Sequence, residues 1–128
     1  PIPGTQGTYS CDANHGNGEL CWEMDNMEAN KYALQVTPHE CNSAPGTYIS
    51  ECDGAGCGTN LYNINNKGIC PDSSCKINSN LPFQQSIYFG NNMHVTLTQG
   101  SNVIEFDVCS SNNDYIKSMN SPLNYGMS

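Results

Sequence analysis

Three carboxylates, Glu23, Asp25 and Glu28, fall in the run Glu23-Met24-Asp25-Asn26-Met27-Glu28-Ala29-Asn30, in a chain with only 4 lysines and arginines to neutralise them. Clustered acids of this kind suit the cleavage of glycosidic bonds, in which one carboxylate attacks or activates while another protonates the leaving oxygen. On a strand, side chains alternate between faces, so Glu23 and Asp25 point to the same side and Glu28 is out of phase. A bulge at Asn26-Met27 would insert one extra residue and bring Glu28 back into line, and bulges are common beside active sites. All three acids would then share one face. Carboxyls four to five residues apart along such a strand can approach to roughly 5–6 Å, the separation a retaining glycosidase uses; an inverting one needs a wider gap.

The elements that must position these acids are strands. Runs rich in β-branched or aromatic residues occur at 20–25, 30–37, 46–50, 85–90, 93–98 and 102–108, and nothing has the pattern of a long helix. Met93 to Gln99 alternates apolar and polar residues, and Val103 to Val108 alternates again after Gln99-Gly100-Ser101-Asn102, which predicts a hairpin. Between 51 and 82 the chain is Gly, Asn, Asp, Ser and Cys with few apolar residues, an irregular excursion that cross-links must hold. The tail from Ser110 is polar and is either a short helix at 113–119 or coil. Short strands with turn signals and no strand–helix alternation predict an all-β fold, an antiparallel β-sandwich, as a single domain over 1–128.

The chain has 128 residues and a net charge of −8, which argues against nucleic acid or an anionic membrane as partner and favours a neutral one such as a polysaccharide. No apolar run approaches the ~20 residues of a membrane helix. Eight cysteines, an even set among turn residues, predict four disulfides and a secreted protein. A zinc reading of Cys52-x4-Cys57 and Cys70-x4-Cys75 would leave the other four cysteines without a role. The run Asp12-Ala13-Asn14-His15-Gly16-Asn17-Gly18-Glu19 alternates oxygen donors with glycines but lacks an EF-hand register, and a plain turn accounts for it. His94 lies on an alternating strand and is expected to be structural or solvent-facing. No metal site and no cofactor are expected.

The blocks along the chain resemble glycoside hydrolase family seven, the fungal cellobiohydrolases and endoglucanases. Cys21-Trp22-Glu23-Met24-Asp25-Asn26-Met27-Glu28-Ala29-Asn30 is similar to the family's catalytic strand, Cys-x-Glu-Met-Asp-Ile-Trp-Glu-Ala-Asn. Thr37-Pro38-His39-Glu40-Cys41, Cys52-Asp53-Gly54-Ala55-Gly56-Cys57-Gly58, Gly68-Ile69-Cys70-Pro71-Asp72-Ser73-Ser74-Cys75 and Thr96-Leu97-Thr98-Gln99 then follow in the family's order. The resemblance implies an abbreviated, concanavalin-like jelly roll, with Glu23 as nucleophile, Asp25 as the carboxylate that tunes and orients it, and Glu28 as acid/base. Crowded carboxylates cannot all be ionised, so one of them supplies the acid. The resemblance implies His39 near the leaving group and Gln99 as a substrate contact. Tyr32, like Tyr48, Tyr62 and Tyr88, is a candidate for stacking on a sugar ring, although such tyrosines are more often half-buried sheet residues. The implied disulfides are Cys41–Cys70 and Cys52–Cys57, which leave Cys11–Cys21 and Cys75–Cys109.

Two departures matter. Family members are much longer, with the catalytic strand mid-chain, so the resemblance implies that upstream strands and much of the substrate surface fall outside this chain. Asn26 and Met27 replace the usual Ile and Trp, and Asn26 must either bond across the bulge or reach solvent. Trp22, the only tryptophan, is aimed away from the cleft by strand parity. The function expected is a secreted retaining hydrolase that cleaves β-1,4-glucan internally, in an open cleft. The alternative is a non-catalytic glycan-binding or host-interaction protein on the same scaffold. Self-association to complete the sheets is a third possibility, because unpaired edges invite pairing.

Overall fold

The computed structural model describes residues 11–14 and 19–125. Three strands, β1 (Glu23–Ala29), β2 (Leu34–His39) and β3 (Thr59–Asn60), form one antiparallel sheet in that order. A short helix α1 (Leu61–Ile64) and a two-stranded parallel pair, β4 (Ile69–Cys70) with β5 (Ile77–Asn78), follow. The second three-stranded sheet is the antiparallel meander β6 (Gln84–Phe89), β7 (Met93–Gln99) and β8 (Asn102–Val108), and two short helices, α2 (Asn113–Ser118) and α3 (Asn120–Tyr125), close the described chain.

Alternation explains the layering. β7 turns Met93, Val95 and Leu97 inward, all fully buried, and β8 adds Ile104, Phe106 and Val108. Leu34 and Val36 of β2, Met24 of β1, Trp22 and Leu61 join them in one apolar cluster, so the two main sheets face each other across a shared core. That is the sandwich expected. Trp22 is buried with its Nε1 donating to the Ser43 carbonyl at 2.8 Å, turned inward as parity required. The predicted β7–β8 hairpin forms, with Gln99 opposite Asn102 and Gly100 at φ +58 in the two-residue turn.

Elsewhere the elements differ from expectation. Residues 46–50 form no strand: Thr47 folds back on the Ala44 carbonyl through both its N–H and its Oγ1. The stretch from 51 to 82 is less irregular than its composition suggests, since it carries β3, α1, β4 and β5. The abundant Asn and Asp residues are used locally. Side chains of Asp12, Asn30, Asp53, Asn65, Asp72 and Asn78 each accept the N–H two residues on, and Asn60 and Asn112 cap α1 and α2. A backbone with few apolar side chains thus finds its hydrogen-bond partners without a sheet.

The disulfides are Cys11–Cys21, Cys41–Cys52, Cys57–Cys109 and Cys70–Cys75. Only the first matches expectation; Cys41–Cys70, Cys52–Cys57 and Cys75–Cys109 do not form. The reason lies in backbone pairing. Cys41 and Cys52 stand opposite each other in an isolated antiparallel bridge flanked by Asn42 N–H to Glu51 and Asp53 N–H to Glu40 hydrogen bonds. Cys57, whose N–H bonds the Pro38 carbonyl, is left to meet Cys109 at the end of β8, whose own N–H bonds Thr59 Oγ1. Cys70 and Cys75 close the turn that Asp72 organises.

On the outer face of the meander, His94 Nδ1 lies 2.7 Å from Asp107 and its Nε2 3.7 Å from Glu105, with Tyr88 of β6 in register opposite. The hydrogen bond to Asp107, aided by the charges of Asp107 and Glu105, raises the His94 pKa above its ordinary 6.5.

Non-reducing peptide mapping should recover a Cys57–Cys109 peptide, and recovery of Cys52–Cys57 instead would overturn the assignment. The Cys57→Ser/Cys109→Ser pair should lower unfolding free energy by about 4 kcal/mol, because that bridge spans 52 residues, whereas Cys70→Ser/Cys75→Ser, spanning 5, should cost about 2 kcal/mol. For His94, a folded pKa above the unfolded one contributes stability that is present below the unfolded pKa and is lost as pH rises through the folded value. The melting temperature of His94→Gln should therefore fall further below wild type near about pH 5 than near about pH 8; a gap independent of pH would contradict it.

Candidate active site

The register of β1 on β2 builds the site. Glu23 stands opposite His39, Asp25 opposite Thr37 and Glu28 opposite Gln35, with one more residue on β1 than on β2 between Asp25 and Glu28. That extra residue is the bulge, where Asn26-Met27 was expected to supply one. Asn26 and Met27 are exposed, and the freed Asn26 carbonyl accepts from Gln85 Nε2 of β6. Asn26 therefore takes the solvent alternative.

With the bulge in place, Glu23, Asp25 and Glu28 all line one cleft of about 280 Å³, together with Asp12, Asn14, Gln35, Thr37, His39, Gly54 and Ala55. The β2 side of this wall was partly missed in the sequence, although Gln35-Val36-Thr37-Pro38-His39 carries the signal. Its polar residues recur at every second position and face the cleft, while Leu34 and Val36 face the core. A second depression of about 280 Å³ begins at Glu28 and Gln35 and continues along Ala29, Asn30, Ala33 and Asn60. The two share residues and form one open groove along the sheet.

Each acid has its own partner. Glu23 Oε2 accepts the N–H of Ala13 at 2.9 Å, which ties the nucleophile candidate to the loop closed by Cys11–Cys21. Glu28 Oε2 accepts from Thr37 Oγ1 at 2.9 Å; Thr37 Oγ1 in turn accepts from Gln35 Nε2 at 3.0 Å. Asp25 Oδ2 lies 3.1 Å from His39 Nε2, and His39 Nδ1 lies 2.8 Å from the Asp53 carbonyl. A carbonyl can only accept, so Nδ1 carries a proton, and a second proton must lie in the contact between Nε2 and the Asp25 carboxyl. His39 is buried behind the acids while Asp25 keeps 31% of its side chain exposed.

The turn that carries Asp53 is shaped for this contact. Asp53 Oδ1 accepts the N–H groups of Ala55 and Gly56, and Gly56 adopts φ +64. A Cβ there would collide with Thr37, the Pro38 carbonyl and the His39 ring, all within 2.8 Å, so only glycine lets the turn lie against the ring. Ligand atoms of Glu23, Asp25 and His39 lie within 4.8 Å of one another, close enough for a cation. Both His39 nitrogens are already engaged, so a cation would have to displace the contact with Asp25.

Two expected site residues lie elsewhere. Gln99 has its amide nitrogen donating to the carbonyls of Asn78, Leu81 and Pro82 and its oxygen accepting from Asn78, which fastens the end of β7 to the neighbouring loop. Tyr32 sits in the β1–β2 turn, 62% exposed, and lines neither depression. Tyr48, Tyr62 and Tyr88 are exposed too, rather than half-buried, and none lines the groove. Part of the run considered for calcium, residues 15–18, lies outside the described residues; Asp12 and Asn14 belong to the cleft.

The chain has relatives among known proteins. The chain is 43% identical over 77 residues to Endoglucanase 1 of Pyricularia oryzae, covering 60% of this chain and 16% of that protein. It is 31% identical over 119 residues to a probable endo-beta-1,4-glucanase celB of Aspergillus terreus, covering 81% of this chain and 25% of the relative. The chain thus spans a quarter or less of these relatives. The native structure of an endocellulase EGI from Humicola insolens superposes with a TM-score of 0.62 at 26% identity, over 86% of this chain and 34% of the other. The profile described as Glycosyl hydrolase family 7 matches residues 5–120, and the chain belongs to that family.

Proposed function

We propose that this chain is, or forms the catalytic part of, a secreted retaining glycoside hydrolase acting on β-1,4-glucan. The observation that carries the reading is the convergence of Glu23, Asp25 and Glu28 on one cleft through a single bulge. The endoglucanase relatives support the substrate class. Four disulfides support an oxidising, extracellular setting. Among the described residues, no helix is long and apolar enough to cross a membrane.

In the first step the Glu23 carboxylate attacks the anomeric carbon while the glycosidic C–O bond breaks, and the Glu28 proton passes to the leaving oxygen. In the second, Glu28, now ionised, takes a proton from water, and the water oxygen displaces Glu23 from the anomeric carbon. Thr37 donates to Glu28 and steadies it at the start of the second depression, where a leaving chain would lie. Ala13 N–H holds Glu23 in its attacking position. Asp25, bonded to His39, is fixed between them. The groove is open along the sheet, which suits entry of a polymer in mid-chain and internal cleavage.

The test is reducing-end release from soluble β-1,4-glucans by wild type, Glu23→Gln and Glu28→Gln. Each substitution should lower kcat by at least about 10²- to 10⁴-fold with the melting temperature little changed, and the anomeric configuration of the first product should be retained. Turnover by Glu23→Gln at the wild-type rate would refute the mechanism. Saturable oligosaccharide binding without turnover in the folded, oxidised wild type would favour a glycan-binding role.

A further inference from the structure

Tyr115 lies on α2, outside the cleft, and its hydroxyl reaches the backbone behind the acids, while Ser118 of the same helix donates to the Glu40 carboxylate. Its hydroxyl accepts the Glu40 N–H at 3.0 Å and faces Asp53 Oδ2 at 3.0 Å and the Pro38 carbonyl at 3.3 Å. The residue is buried, and burial pushes its hydroxyl pKa far up, so it remains a proton donor. The carboxylate of Asp53 is the natural recipient of that proton, because a charged acceptor gives the stronger bond.

Asp53 is the junction. One carboxylate oxygen organises its own turn through Ala55 and Gly56, the other meets Tyr115, and its backbone carbonyl receives His39 Nδ1–H. Its N–H bonds the Glu40 carbonyl, and Glu40 N–H bonds Tyr115. The hydroxyl therefore clamps both strands of the loop that hold the His39 ring. Besides the carbonyl, His39 meets Asp25 and faces Glu23 in register, both from β1, and it touches Gly56 from the turn. Those contacts alone allow the ring to change tautomer: with the Asp53 carbonyl displaced, a neutral ring could carry its proton on Nε2 and donate to Asp25 directly.

We propose that Tyr115 is a positioning residue for the acid cluster: through Asp53 it fixes the orientation and tautomer of His39, and through His39 the Asp25 carboxyl. The consequence for turnover rests on the hydrolase reading; the consequence for His39 does not. Tyr115→Phe removes the hydroxyl and keeps the ring in the core, while Cys57–Cys109 still ties the start of the C-terminal segment to the 53–57 turn. Asp53→Asn removes the charged acceptor and keeps the side chain's shape, and it decides the matter if Tyr115→Phe does not fold.

The experiment is nitrogen-15 NMR of the histidine rings in the full chain, alongside kcat and KM on a soluble β-1,4-glucan. Wild type should show His39 protonated at Nδ1 with a ring proton protected from exchange. Both variants should lose that protected signal, and kcat should fall about ten- to a hundredfold with KM little changed. The double variant should cost no more than the worse single one, because both remove the same link. An unchanged His39 signal in folded variants would overturn the proposal. Absence of turnover in wild type would reject the hydrolase reading, and the His39 signals would still decide whether Tyr115 sets the ring.

Discussion

The register between β1 and β2 is the constraint on which the rest of the structure depends. Two antiparallel strands with one extra residue on β1 place three acids opposite Gln35, Thr37 and His39 on one face, while Met24, Leu34 and Val36 enter the core from the other. A slip by one residue would exchange the faces and bury carboxylates where methyl groups belong. The desolvation of even one unpaired charge is costlier than any single contact in this sheet. Core packing and site geometry are therefore selected together, and the bulge reconciles them. It breaks the strict alternation once, at residues whose side chains reach solvent, and Gln85 of the opposite sheet satisfies the carbonyl it releases.

Around this pair the chain has little apolar material, and covalent and local polar links do much of the positioning. Cys11–Cys21 holds the loop that brings Ala13 to Glu23, Cys41–Cys52 braces the segment that leads from His39 to Asp53, and Cys57–Cys109 draws the C-terminal helices against that turn. Each bridge lies close to one element of the site. Asx turns then set the backbone between the bridges, which is why so polar a stretch holds a defined path.

Much of the site could be inferred from residue order. Strand parity places Glu23, Asp25 and Trp22 correctly, and aligning Glu28 with the other two acids requires a bulge. The meander was equally visible, because Met93 to Val108 is near-perfect alternation around a glycine turn. What could not be seen depends on contacts distant in sequence. Cys41 meets Cys52 because two loop segments pair, and Cys57 meets Cys109 across 52 residues; local spacing favours neither. Gln99 looks like an exposed polar strand residue, yet its amide is consumed by the 78–82 loop. Tyr115 sits in a polar tail whose composition allowed coil, and only the fold carries its hydroxyl to Asp53.

Among the described residues β1 pairs with β2 alone and is an outer strand of its sheet, with residues 26–29 exposed. Such edges are where chains stick to one another. Here a second copy approaching in strand-to-strand fashion would bring Glu23, Asp25 and Glu28 against the same acids of its neighbour, in molecules that each carry a net charge of −8. The three acids of the cleft thus set like charges against each other in such a pairing, which opposes it. Conditions that neutralise them, low pH or amide substitution, remove that repulsion.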